Sequence, residues 1–591
     1  MALAMTVILS LHTVLAPVIP IADGLGYTMR GFALYGYLHT GQWSDFWKLL
    51  HSPYQSVLPL HYLLFFSLPQ EFAGVDSYVF AQNITTYFLL AYAVFKMTLV
   101  LNRPEWAPAI FLLCSVNNIA LTDFYAFFLD VEFLSLGLLV IAWQMEAWKE
   151  KRVPSSILSG LGLGLLFWMK PANALIFLAT YLLSEICHGG CALLSCKAKV
   201  GRRQCMLNLF RHWSCQSLGF LPLLGMVLLS GGGQTILQLI DQNEIHESST
   251  PLACENLLRL FYFPLCLSAC YHMILLGGLL MTAFFANRWL PLDQNREDSS
   301  SIPLHLIVPV VFSYLVLGGF FSFWLIVKPL RSLLLMLPLF WFLLCWLWEG
   351  RRLRVELFLL MAVAYAFTAF SQKAFDLLGT RGSLVEDNYQ LSIASWAEMP
   401  SAWHWGESFD QFIYNKVNGD LPPTGIICVN SIELRNSLAW RLGLQDFLLG
   451  KVPRYEVRNI FDYKGAYFDK SLVGSNLIVL VTIFPVQSSR SVWLESMSIL
   501  NYANEEWCVN GGWAQINEMP SIQGQPIGYE ISFRQPLTEA QVAQANKSAR
   551  FAKFARADNK GVESLYGPHY SRTKSWQLLK TWFNKRFTGT N

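Results

Sequence analysis

The sequence predicts a polytopic α-helical membrane protein that ends in a water-soluble α/β domain. Three observations carry this reading. The 591 residues are 54% hydrophobic but only 14% charged, against roughly a quarter charged in soluble globular domains. The charges are clustered, which leaves uncharged apolar runs of about 18 residues or more, long enough to cross a bilayer as helices. Those runs are continuous rather than alternating, which favours helices over a closed barrel. The net charge of +3 averages over two aqueous faces and a membrane, and no nucleic-acid partner is expected.

The first apolar run, about Ala2 to Ile21, lacks a basic leader and a small-residue cleavage site, so it reads as a retained helix rather than a cleaved signal. A polar and aromatic stretch follows from Asp23 to Val75. In TMRGFALYGYLHTGQWSDFWKLL the aromatic and polar residues mix at helical spacing, which predicts helices lying at the membrane interface. Further helices are predicted near 78–101, 106–122 and 126–147. The segment 155–187 is too long for one ordinary span and holds Lys170-Pro171 at its centre. Proline is favoured in the first turn of a helix, so one helix should end near Lys170 and the next begin near Pro171. Helices near 214–231, 257–286, 303–326, 332–348 and 355–371 bring the total to about eleven.

The charged connections fix an expected orientation. Lys149, Lys151 and Arg152 follow the fourth helix. Lys197, Lys199, Arg202, Arg203 and Arg211 follow the sixth, Arg288 and Arg296 the eighth, and Arg351, Arg352 and Arg354 the tenth. With the break at Lys170 all four clusters fall on one side, which the positive-inside rule makes cytoplasmic. Residues 1–371 then form the membrane domain of an inner or plasma membrane protein, with 22–75 as an outer amphipathic loop. Lys170, the Lys328–Arg331 turn and the domain 372–591 lie on the non-cytoplasmic face.

The C-terminal 220 residues suffice for one core. GIICVNS reads as a short strand, IELRNSLAWRLGL has helical periodicity, and NLIVLVTIF reads as a second buried strand, so a small α/β domain is expected. Residues 540–591, rich in Lys, Arg and Ala, read as helices and a loose basic tail. Ten of the twelve cysteines precede residue 350. Cys187, Cys191, Cys196 and Cys205 cluster loosely, without zinc-ribbon spacing, and read as reduced thiols. Cys428 and Cys508 are within one domain, where a disulfide is open to them.

Ionisable groups near membrane depth are costly and therefore mark candidate sites. Asp23 directly follows the first helix. Asp130 and Glu132 open the apolar run FLDVEFLSLGLL, with Asp123 a nearby competitor. Lys170 sits at the helix break, and Lys328 and Arg331 lie in the turn KPLRSLLLMLP. These acids and bases converge on one membrane face. Carboxylates there can orient or deprotonate an acceptor, and Lys and Arg can hold a phosphate. The plainer reading is that each is a helix-end charge anchoring the bundle to water.

The order of these features resembles the GT-C membrane glycosyltransferases, in particular the branch of protein O-mannosyltransferases and lipid A aminoarabinose transferases. Four segments carry the resemblance: ADGLGYTMRGFALYGYLHTGQWSDFW with the downstream SPYQSVLPLHYLL, FLDVEFLSLGLLVIAWQ, LSGLGLGLLFWMKPANALIFL and VKPLRSLLLMLPLF. Asp23, Tyr27 and Trp43 match the family's first outer loop, Asp130 its Asp-led helix, Lys170 the lysine closing its glycine-patterned helix, and Arg331 the arginine of its Arg-Tyr-Leu-Leu-Pro-like segment. The family's Lys-Pro-Pro is absent, with Ser52-Pro53 and Leu58-Pro59 nearby instead. Ser332 replaces a tyrosine and Met169 a threonine.

What the resemblance implies is inverting transfer of a sugar from a polyprenyl-phosphate carrier to a protein, lipid or glycan acceptor on the outer face, among membrane lipids. Asp23, Asp130 and Glu132 would be the catalytic acids. Lys170, Lys328 and Arg331 would bind the donor phosphate, and Tyr27 and Arg30 would bind substrate. A divalent metal is left open, with none required by the sequence. Other classes remain: a polytopic transporter or lipid flippase, whose cavities also hold ionisable groups, or a non-enzymatic assembly subunit.

Overall fold

The computed structural model describes residues 1–15, 22–50, 58–115, 129–195 and 199–229, runs of one to three residues between 307 and 363, and in the C-terminal part mainly 425–429, 442–444, 446–451, 455–459, 478–484, 510–515 and 526–534. Two compact units form, one from residues 1–17 and 42–374, the other from 18–41 and 375–591. The helices expected at 257–286, 303–326, 332–348 and 355–371 lie wholly or mostly outside the described residues.

The first unit contains α1 (Ala2–Leu15), α3 (Trp43–Leu50), α4 (His61–Phe66), α5 (Val75–Val100), α6 (Ala107–Ser115), α7 (Asp130–Glu150), α8 (Val153–Met169), α9 (Pro171–Ser195) and α10 (Lys199–Val227). Among the described residues, α5, α7 and the Asn173–Leu194 part of α9 are long and apolar enough to cross a membrane, and α8 is a shorter apolar helix. Helix α7 is the axis of the bundle, since 94% of its apolar window is buried against protein, compared with 50% for α5 and 39% for α9. The chain breaks at Lys170 into α8 and α9, with Pro171 in the first turn of the new helix. There the missing N–H of proline costs nothing. The segment 188–213, read from its charge as a loop, is instead mostly the end of α9 and the start of α10. Met206, Leu207, Leu209 and Phe210 between the basic residues keep the helix going.

Helix pairing explains the glycines of LSGLGLGLL. A methyl group on Gly160 would collide with the Gln216 carbonyl of α10, and one on Gly219 with the Ile157 carbonyl of α8. On Gly164 it would stand 2.6 Å from Leu223 Cβ, whereas Gly162 faces the other way, 2.6 Å from Val140 Cγ2 of α7. Small residues four apart thus let two backbones meet, the usual means of close packing where lipid offers no hydrophobic drive.

Contacts along the bundle set the helix directions. Lys170 at the end of α8 meets Asp130 at the start of α7, and Ser155 at the start of α8 donates to Glu146 near the end of α7, at 2.8 Å. These two helices are therefore antiparallel. Lys96 of α5 also pairs with Glu146, at 2.5 Å. Lys149 donates to the Val100 carbonyl at 2.9 Å and to Asn102 Oδ1 at 2.6 Å. One end of the bundle thus carries Asp130, Glu132 and Lys170, and the opposite end Lys96, Glu146, Lys149, Lys151 and Arg152.

The second unit contains α2 (Ala22–His39) and a five-stranded sheet: β1 (Gly425–Val429), β2 (Tyr455–Asn459), β3 (Ile478–Phe484), β4 (Asn510–Gln515) and β5 (Pro526–Arg534), in the order β2-β1-β3-β5-β4. The strands β2, β1 and β3 are parallel, with Ile427 opposite both Val457 and Val479. The β5 strand is antiparallel to β3 and β4. Helical residues at 442–444 and 446–448 lie between β1 and β2, as a parallel crossover requires. Helix α2 comes close to this element: a methyl group on Gly36 would collide with the Phe447 carbonyl, and Gly450, at φ +66°, leaves room for Thr40.

Candidate functional site

Helix α7 begins with two acids in its first turn, Asp130 and Glu132. Helix α8 ends at Lys170, which adopts an extended φ of −153°. Because the helices are antiparallel, these ends coincide. The Lys170 Nζ donates to Asp130 Oδ1 at 2.5 Å. Asp130 is buried, and the lysine side chain retains 17% exposure, so the lysine reaches the surface while its partner does not. A charge-assisted contact of this kind is short and strong. Chemically it offers a cation on a partly exposed side chain, held by a buried carboxylate.

Glu132 has different company. Its Oε1 accepts from the backbone N–H groups of Leu60 and His61, at 2.5 and 3.1 Å. Its Oε2 accepts from His61 Nδ1 at 2.7 Å, and His61 Nε2 lies 2.9 Å from the Tyr78 hydroxyl of α5. His61 and Glu132 are both buried. The same segment is tied to α8, since Leu58 N–H donates to the Trp168 carbonyl at 3.0 Å.

Asp23, Tyr27 and Arg30 all lie on α2 in the second unit. Tyr27 and Arg30, three residues apart, share one face of that helix. Arg30 is buried and Tyr27 half-buried. Lys328, Arg331 and Asp123 lie outside the described residues, as do Cys196 and Cys508. Among the described residues no group of three or more His, Cys, Asp or Glu is placed to hold a metal ion.

Sequence reasoning passes over a second constellation, deep in the same bundle. Glu185 of α9 is buried. Its Oε1 accepts from Gln144 Nε2 (3.0 Å), Gln216 Nε2 (2.7 Å) and His212 Nε2 (3.1 Å). Its Oε2 accepts from the indole N–H groups of Trp148 and Trp213, both at 3.2 Å. Around it, His212 Nδ1 lies 2.7 Å from Ser156 Oγ, and the Tyr181 hydroxyl lies 2.6 Å from Ser159 Oγ and 2.5 Å from Gln216 Nε2. Glu185 comes fourteen residues after Pro171, which places it about 21 Å along the helix from the Lys170 end. Its signal in the sequence is an acid inside the apolar run ATYLLSEIC, together with a histidine four residues before Gln216.

No family model and no curated sequence matches the chain. Among solved structures it is similar to ArnT from Cupriavidus metallidurans. The crystal structure bound to undecaprenyl phosphate gives a TM-score of 0.45 at 9% identity, covering 90% of this chain and 97% of that one. The apo structure gives 0.47 at 11% identity, covering 89% and 97%. The chain is also similar to the Archaeoglobus fulgidus oligosaccharyltransferase in complex with Zn and sulfate, with a TM-score of 0.35 at 11% identity, covering 89% of this chain and 73% of that one. At these values the likeness assigns neither a residue nor an activity to this chain.

Proposed function

We propose that the chain is a membrane glycosyltransferase that moves a sugar from a polyprenyl-phosphate-linked donor to an acceptor on the non-cytoplasmic face. One observation carries this reading. Lys170 and Asp130, forty residues apart in sequence, meet at one end of the bundle with the lysine side chain partly exposed. In the proposed reaction an acceptor oxygen or nitrogen attacks the anomeric carbon, the bond from that carbon to the phosphate oxygen breaks, and the acceptor proton passes to a carboxylate. The leaving lipid phosphate needs cations placed in advance where its charge develops. Lys170 takes this role, joined by Lys328 and Arg331. Asp23 is proposed as the base, and Tyr27 and Arg30 as substrate contacts. Asp130 holds Lys170 rather than meeting the acceptor. Glu132, whose partners are the 60–61 backbone and His61, supports the site instead of reacting.

The membrane face is part of the proposal. The opposite end of the bundle carries Lys149, Lys151 and Arg152 near the chain's Val100 turn, which suits a cytoplasmic end. A cysteine introduced at Gly465 is expected to react with an impermeant maleimide in intact spheroplasts; labelling only after lysis would reverse the orientation.

The decisive assay uses purified protein in lipid vesicles with polyprenyl-phosphate-sugar donors, reading release of polyprenyl phosphate and of glycosylated acceptor. Release that depends on Asp23 is the expected result, with Asp23→Asn lowering turnover roughly a hundredfold or more, the scale of losing a general base. A second reading is a lipid carrier, because buried ionisable groups such as the Asp130–Lys170 pair also line transport paths. Flipping of the donor across the vesicle wall without sugar transfer would select that reading.

A further inference from the structure

Residues 58–61 join the two helix ends that present the Asp130–Lys170 pair. On one side, Leu58 N–H is bonded to the Trp168 carbonyl, two residues before Lys170. On the other, Leu60 and His61 are bonded to Glu132, two residues after Asp130 in the same first turn of α7. The imidazole of His61 completes the connection, with Nδ1 on Glu132 and Nε2 on Tyr78. A carboxylate only accepts, so Nδ1 carries the ring hydrogen in this contact. Neither His61 nor Tyr78 exposes any surface, which excludes direct contact with a substrate.

We propose that His61 is a positioning residue for the Asp130–Lys170 pair, acting through Glu132 and the 58–61 segment. This rests on the reading of Lys170 as the cation that meets the donor phosphate. The physical logic is local. Lys170 terminates a helix, and its backbone N–H is bonded within α8, to the Leu166 carbonyl at 2.9 Å. Its lateral position relative to α7 is therefore set by what ties α8 to α7 at this level. The 58–61 segment does so with three bonds to Glu132 and one to Trp168. Small misplacements of a binding group cost activity out of proportion to their size.

The test uses the shapes of the two amides. Asparagine places its N–H₂ near the position of Nδ1, so His61→Asn keeps a donor for Glu132 and loses Tyr78. Glutamine reaches the position of Nε2, so His61→Gln keeps Tyr78 and loses Glu132. Two readouts are taken on full-length protein in nanodiscs: the rate at which an amine-reactive ester acylates Lys170, mapped by mass spectrometry, and donor-dependent sugar transfer. Wild-type Lys170, held by Asp130, should react slowly. His61→Gln should acylate at Lys170 several-fold faster and raise the KM for the donor about tenfold with less change in kcat, whereas His61→Asn should restore most of both. Tyr78→Phe, which keeps the ring and is expected to fold, should give a smaller rise of the same sign and serves if His61→Gln does not fold. Equal acylation of Lys170 in wild type and in every folded variant overturns the inference. The acylation arm needs no turnover. Absent transfer with a changed Lys170 rate therefore discards the transferase reading and keeps the positioning role, while normal transfer with an unchanged rate does the reverse.

Discussion

Asp130 and Glu185 are buried carboxylates on two helices of the same bundle, yet they are satisfied in opposite ways. Asp130 meets an ammonium whose side chain still touches the surface. Glu185 accepts five N–H groups drawn from two helices, α7 and α10, with none of them from lysine or arginine. An ionised carboxylate has about four lone-pair sites, so Glu185 has no capacity left for a substrate. The comparison teaches that burial of an acid inside a membrane bundle does not by itself mark chemistry. The partner set decides: a partly exposed lysine beside a helix break leaves something for a ligand to reach, whereas a closed ring of amides and indoles ties helices together.

The largest expected effect breaks the ring. Replacing Glu185 by Leu takes the acceptor from the Trp148 and Trp213 indoles and one acceptor each from Gln144, His212 and Gln216, and should destabilise the protein by about 3–5 kcal/mol. The thermal midpoint in detergent should fall steeply while turnover per folded molecule stays within a few-fold. Loss of turnover in a variant that melts like wild type would move Glu185 from scaffold to mechanism.

The pair should respond in the reverse sense. Lys170→Met should reduce transfer about a hundredfold or more, as loss of a preorganised charge at a leaving group does, and it also leaves Asp130 buried without its cation. The double variant Asp130→Asn with Lys170→Met should therefore melt higher than Lys170→Met alone without regaining activity. Recovery of transfer in the double variant would show that Lys170 serves packing only.

Two smaller effects sharpen the same contrast. Gly160→Val forces α8 off the Gln216 carbonyl and should cost about 1–3 kcal/mol, the range for overpacking, with the damage reaching the adjacent ring through Gln216. Trp213→Phe removes one of the two indole donors to Glu185 Oε2 and keeps most of the ring volume. It should cost about 1 kcal/mol, one hydrogen bond, read from the same melts. A Trp213→Phe loss as large as that of Glu185→Leu would mean that the five donors do not share the load.

Much of this architecture is legible in residue types. The break at Lys170 can be read because the segment is too long for one span and Pro171 suits only a first turn. The strands GIICV and IVLVTIF stand out as short β-branched runs. The extent of α9 and α10 is harder to see, because the basic residues between 202 and 211 resemble a loop although apolar residues at helical spacing continue through them. Glu132 and Asp130 look equivalent in sequence, two acids on either side of Val131, and only their neighbours separate them. His61 in the motif LPLHYLL carries no local mark of a role. Nothing in one sequence says that it lies beside an acid 71 positions later.

The sequence by itself determined the features that local chemistry dictates. Apolar runs must be helical because their backbone groups have no water to bond in lipid, and charge segregation along those runs separates the two ends. It also determined which residue types are costly enough at membrane depth to need a reason. Only the tertiary structure decided the pairings, because they depend on which helix faces which. Lys170 reaches Asp130 because α7 and α8 are antiparallel and adjacent. Glu132 caps the 60–61 backbone because α4 lies against the start of α7. Glu185 is closed off because Gly160, Gly164 and Gly219 let α8 and α10 approach until His212 and Gln216 meet it. Those contacts join residues tens of positions apart, and their energies exist only once the helices have packed.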